Sequence, residues 1–160
     1  MQTLISLLTK LLTLHQSLHQ LAERKTEIVK EGNLEALNTL MNEEHVHITA
    51  IAKVEEARNE AVIRLLSGQT IQGNSPTLQD VINHANEEEG KQLTHLQTEL
   101  ISCLTHLKKR NELNQQLIYQ SLQFVNVTMD LVRPQAKSYN YERPTQLTQP
   151  TPTAYFHSKA

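Results

Sequence analysis

The stretch QLTHLQTELISCLTHLKKRNELNQQLIYQSLQFVNVTMDLV, residues 92–132, decides the fold. Steps of three and four from Leu93 reach Leu96, Leu100 and Leu107, then Asn111 and Asn114, then Leu117 and Ile118, Phe124 and Val125, Leu131 and Val132. A stripe of this kind marks a helix that buries one face in a bundle. Arg133-Pro134 ends it, because the residue before a proline avoids the helical region. This long helix is expected to be the spine on which the earlier helices pack. Asn111 and Asn114 interrupt its leucines on one face, where an amide either fixes register in a polar layer or bonds a partner's backbone.

Composition agrees with an all-α chain. Among 160 residues there are four Gly, five Pro, no Trp and 4% aromatic residues, too few turn and strand formers for a sandwich or a doubly wound sheet. The length fits a single domain. With 15 basic and 17 acidic residues the formal net charge is −2, which gives nucleic acid or an anionic membrane nothing to read. Cys103 stands alone, so no internal disulfide forms, and its seam position suits a small buried hydrophobe. The apolar start Met1 to Lys10 lacks a basic n-region and a small-residue cleavage site, and its leucine period runs on to Ile28. A cytoplasmic protein without membrane insertion is therefore expected.

Read from the N-terminus, the first helix carries a seam at Leu4, Leu7, Leu11, Leu14, Leu18, Leu21, Lys25 and Ile28, in which only Lys25 is charged. Ile5, Leu8, Leu12, His15 and Ala22 widen the stripe, so this helix should touch more than one neighbour in its first half. Gly32-Asn33 supplies a stop and a new N-cap, and a link this short makes the next helix antiparallel. The seam expected there is Leu34, Leu37, Met41, Glu44, Ile48, Ile51, Glu55, Arg58, Val62 and Leu65. Glu55 and Arg58 can pair one turn apart, while Glu44 needs a partner on a neighbouring helix or a wet edge.

Gly68, Gly73, Asn74 and Pro76 make Ser67 to Pro76 a loop and the best place for a mobile connection. Thr77 then caps a short helix with Asp80 in its first turn, and Asn86-Glu87-Glu88-Glu89 reads as a capping box for the long helix, with a bend at Gly90. The expected fold is an elongated antiparallel helical bundle, coiled-coil-like, of three long helices and one short one. One domain spans 1–133, with helices at about 2–31, 34–66, 78–86 and 88–132, and a disordered Pro-, Gln- and Thr-rich tail spans 134–160. Tyr139, Tyr141, Tyr155 and Phe156 in that tail are docking anchors or chance content of a linker.

No enzyme signature is present. The glycines lie singly, with no phosphate loop and no serine elbow. His15, His19 and Glu23 have ligand-like spacing, as do His45 and His47, yet nothing completes either set, so neither metal nor cofactor is expected.

From Leu117 onward, Leu117, Ile118, Leu122, Phe124, Val125, Val127, Met129, Leu131 and Val132 cover most of the helix circumference. One neighbour cannot bury all of these. Either several helices of the bundle meet here, or the end presents apolar surface to another protein.

Several pieces in order carry a family likeness. They are Leu14-His15-x-x-Leu18, Lys25, Glu31-Gly32-Asn33-Leu34-x-x-Leu37, Glu43-Glu44, Glu55-Glu56-x-Arg58 and Leu107-x-x-x-Asn111-x-x-Asn114-x-x-Leu117-x-x-x-Ser121-Leu122. Over about Leu4 to Tyr141 the chain resembles the FlgN family of flagellar export chaperones. The resemblance implies a cytoplasmic, non-enzymatic chaperone that binds hook-filament junction proteins, prevents their premature assembly and delivers them to the flagellar type III export gate. It implies client contacts along the end of the last helix, at Leu117, Ile118, Leu122, Phe124, Val125, Met129 and Val132. It also implies that a tyrosine soon after the helix-ending proline docks on the gate protein, here Tyr141 or its neighbour Tyr139, with Glu142 where the family usually has Gly. A structural scaffold closed into a homodimer by the same apolar end is the alternative.

Overall fold

The computed structural model describes residues 1–67 and 76–133. Four helices follow in order: α1 (Gln2–Glu31), α2 (Leu34–Leu65), α3 (Leu78–His84) and α4 (Glu87–Val132). The three long ones run up, down and up. The expected mobile loop, apart from Ser67 and Pro76, and the expected disordered tail 134–160 lie outside the described residues.

Local chemistry sets the turns. Gly32 ends α1 in the left-handed region at φ 68°, donating to the carbonyl of Val29 at 3.2 Å, while the Asn33 N–H reaches the carbonyl of Ile28 at 3.3 Å. The Asn33 side chain then accepts from the Ala36 N–H at 3.0 Å and starts α2. Thr77 and Asp80 form a complete capping box for α3. Asn86 caps α4 through the Glu89 N–H at 2.9 Å, but the Glu89 carboxylate returns to the Asn86 side-chain amide and not to its backbone. The helix passes through Gly90 as one element.

The spine is α1, not α4. Nine residues of α1 are buried, against three each in α2 and α4. No Cα of α2 comes within 8 Å of a Cα of α4, whereas α1 packs along both. The reason lies in the residues that widen its stripe: Leu8, Leu12, His15 and Ala22 are buried beside the seam leucines, so α1 has apolar surface on two sides and the outer helices have it on one. All four elements meet at the lower end, where Leu4, Leu8, Leu11, Val54, Val62, Leu66, Val81 and Leu93 form one cluster.

Two seams differ from expectation by a small rotation. In α2 the buried positions are Leu40, Val54 and Val62, while Leu34, Met41 and Ile48 are more than half exposed. A repeat of three and four fits either choice on a helix of 3.6 residues per turn: α1 takes Leu40 in place of Met41 and Val54 in place of Glu55, while Val62 keeps its expected place and Leu37, Glu44, Ile51 and Leu65 are half-buried. In α4, Arg110 takes the inward seat after Leu107, with its guanidinium 3.6 Å from Glu23, and Asn111 is exposed.

The charged seam residues find partners. Lys25 of α1 and Glu44 of α2 are paired with each other, both mostly shielded from water. Arg58 Nε donates to Glu55 at 2.7 Å within α2.

The Thr77 hydroxyl and backbone N–H both donate to Asp80, at 2.6 and 2.9 Å, and hold its carboxyl below the usual carboxylate range. A depressed folded value means stability that is present above the unfolded pKa of about 3.9 and lost as pH falls through the folded one. Asp80→Asn should therefore be less stable than the natural chain at pH 7, with the gap narrowing below about pH 4; urea unfolding at several pH values measures it.

Candidate protein-docking surface

The side-chain pairs between α1 and α4 set how far α4 projects. Thr26 of α1 meets Asn114 of α4, 88 residues later, in the middle of the interface. At that offset Glu31, the last residue of α1, stands level with Tyr119. The remainder of α4, to Val132, continues beyond the hairpin for about 20 Å at 1.5 Å per residue. Every residue from Tyr119 to Arg133 is exposed.

This free end is amphipathic. At about 100° per residue, Ile118, Leu122, Val125, Met129 and Val132 fall in one row, and Leu117, Phe124 and Leu131 in a second row about 100° away. Ser121 and Thr128 lie between the rows. Their hydroxyls donate back to the carbonyls of Leu117 (2.9 Å) and Phe124 (2.8 Å), which leaves mainly carbon facing outward. The apolar half is centred on the direction in which Leu107 and Asn114 face α1 lower down, so it continues the bundle seam past the point where α1 stops. Gln116, Tyr119, Gln120, Gln123, Asn126 and Asp130 occupy the other side, together with Val127, and no charged residue stands between Glu112 and Asp130. The circumference is thus about half apolar, less than a count of residues implies.

Of the residues singled out for client contact, Leu122, Phe124, Val125, Met129 and Val132 stand free, while Leu117 and Ile118 are half-buried at the junction with the bundle. The helices that meet in numbers do so at the opposite end of the molecule, around Leu4 and Leu93. Tyr139 and Tyr141 lie outside the described residues.

A polar layer anchors the base of the free end. Asn114 is 2% exposed. Its amide N–H donates to the Ala22 carbonyl at 2.7 Å and its amide oxygen accepts from the Thr26 hydroxyl at 2.7 Å, so both ends of the amide are used on α1. Thr26 is a partner that leucine spacing does not reveal. Asn111 is exposed, at the mouth of a cleft whose lining Asn114 also reaches. With Gln115 and Ile118 it lines this open cleft of about 240 Å³, which has Leu18 and Lys25 of α1 at its base and Glu44 and Ile48 of α2 on its far side.

Three of the histidines make structural contacts between or within helices. The buried His15 bonds the Leu11 carbonyl through Nδ1 at 2.8 Å, and His19 meets His106 of α4 edge to face at 6.4 Å. Burial raises the Cys103 thiol above its ordinary value. Among the described residues no three His, Cys, Asp or Glu come together as metal ligands, and no helix is long and apolar enough to cross a membrane.

Compared with known proteins, residues 1–149 match the family described as FlgN protein. The chain belongs to the FlgN family. This is a chaperone family not known for enzymes, and membership points to a role in flagellar export and to flagellar proteins as partners. The "Uncharacterized protein YvyG" of Bacillus subtilis (strain 168) is 30% identical over 161 residues, which cover 99% of this chain and 98% of that protein. No solved structure matches the chain.

Truncating the buried amide tests the layer. Asn114→Ala should cost about 1–3 kcal/mol in urea unfolding, because both hydrogen bonds of the amide to α1 are lost and a void is left in a dry interface, while the Thr26 hydroxyl keeps only the Ala22 carbonyl at 3.2 Å. The pair Asn114→Leu with Thr26→Val should recover part of that loss, since no polar group is then stranded.

Proposed function

We propose that the protein is a cytoplasmic chaperone of flagellar type III export that binds hook-filament junction proteins, prevents their premature assembly and delivers them to the export gate. One observation carries the reading: an uncovered helix end whose apolar half faces no other part of the described chain and bears no charge from Leu113 to Met129. A stable monomer has little reason to keep such a surface bare. Family membership gives it a purpose, because a client's amphipathic terminal helix, laid on this face, would have its own assembly surface hidden.

Magnitudes support a real but modest site. Half the circumference of a helix about 10 Å across and 20 Å long is roughly 300 Å². With a similar area on the client, burial offers on the order of 15 kcal/mol gross at ~25 cal/mol per Å². Association itself costs about 4–15 kcal/mol, so the surplus suits a chaperone that must release its cargo. In this reading Tyr141, or Tyr139 beside it, carries the contact with the export gate protein. No catalysis, metal or cofactor is required.

Replacing Leu122, Val125 and Met129 together with Ser should abolish co-purification with a hook-filament junction protein while helical content by circular dichroism stays near normal. Unchanged binding would count decisively against the proposal. Light scattering over a concentration series separates the homodimeric scaffold, which would form a dimer stable at low concentration and indifferent to the junction protein.

A further inference from the structure

The row Leu34, Met41 and Ile48 on α2 is unaccounted for by the bundle. These residues recur every seven positions, each is more than half exposed, and Ile48 looks across the cleft toward Gln115 and Ile118 of α4. Lys25 pairs with Glu44 across the α1–α2 interface, which places Met41 level with Ile28 of α1 and so with the last α4 turn before the free end. The row and the free end are therefore two parts of one apolar surface at the same end of the molecule.

We infer that the cleft between α2 and α4 holds the continuation of the client helix that lies on the free end, so that the bound client becomes the fourth helix of the bundle. This rests on the client-binding reading above. The free end alone would bury roughly 600 Å² in total, about half of the 1,200 Å² at which specific, stable interfaces begin. The span from Ile48 to Leu34 adds wall below the free end and overlaps its first turn, which brings the site to roughly 35 Å, the length of a helix of about 23 residues. Two copies paired through their free ends gain only the smaller area, which favours a client helix over a second copy of this chain.

The cleft also states the chemistry of its occupant. Its base is already neutralised, since Lys25 and Glu44 satisfy each other. A charge brought there would lose hydration and gain no partner. The occupant is therefore an amphipathic helix with apolar residues at intervals of three and four and a neutral amide or hydroxyl at the level of the exposed Asn111 and Gln115.

Full-length protein carrying Met41→Ser and Ile48→Ser, and separately Leu122→Ser and Val125→Ser, should be titrated by calorimetry with a purified hook-filament junction protein. The inference expects the cleft variant to bind at least tenfold more weakly, with unchanged circular dichroism. A cleft variant that binds normally while the free-end variant fails overturns the inference and leaves the client-binding reading standing. Normal binding by both overturns the two together. A cleft variant altered in self-association by sedimentation, with normal client affinity, overturns the inference in favour of a second copy. Should the double variant unfold early, Met41→Gln, at a largely exposed position, decides in its place.

Discussion

The architecture depends on α1 being apolar on two sides. A helix with a single stripe buries it against one neighbour and is finished. Leu8, Leu12, His15 and Ala22 add a second buried flank to the Leu4, Leu11 and Leu21 seam, so α1 needs a helix on each side. The outer helices, with one inward row apiece, have no such need and stay apart. That asymmetry opens the cleft above Leu18 and Lys25. It also frees Met41 and Ile48 from any part in the core.

Polar contacts, not leucines, fix where α4 stops relative to α1. Leucine stripes seven residues apart can slide past one another by a heptad at small cost in buried area, but Asn114 and Thr26 cannot move without stranding hydrogen-bonding groups in a dry interface. Lys25 with Glu44 does the same for α2. Stability and function divide along the molecule accordingly. The four-element cluster around Leu4 and Leu93 holds the lower end together, the polar layer sets the register, and the upper end is left with a helix that outruns its support.

Much of this was legible in the residues. Gly32-Asn33 marks the hairpin, the leucine periods mark the long helices, and Lys25 and Glu44 each stand out as a charged residue in an apolar seam. Their pairing was not visible, because it depends on the antiparallel register across a neighbouring helix. The exposure of Leu34, Met41 and Ile48 in α2 and of Asn111 in α4 has one reason. A pattern of threes and fours leaves two adjacent rows nearly equivalent, and a rotation of one residue costs nothing until a partner helix is present. The same ambiguity hid Met41 and Ile48 as surface residues and Thr26 as the partner of Asn114.

By itself the sequence determined the helical class, the turn between α1 and α2, the caps of α3 and α4, and a surplus of apolar residues near the end of α4. These are local properties, set by backbone preferences and by the period of side chains along one helix. Only the tertiary structure decided that α1 is central, that α2 and α4 leave a cleft between them, and that α4 passes the end of α1 by about 20 Å. Those follow from which faces meet and at what offset. That choice belongs to pairs of helices and is fixed by a few buried polar contacts, Thr26 with Asn114 and Lys25 with Glu44, whose partners lie far apart in the chain.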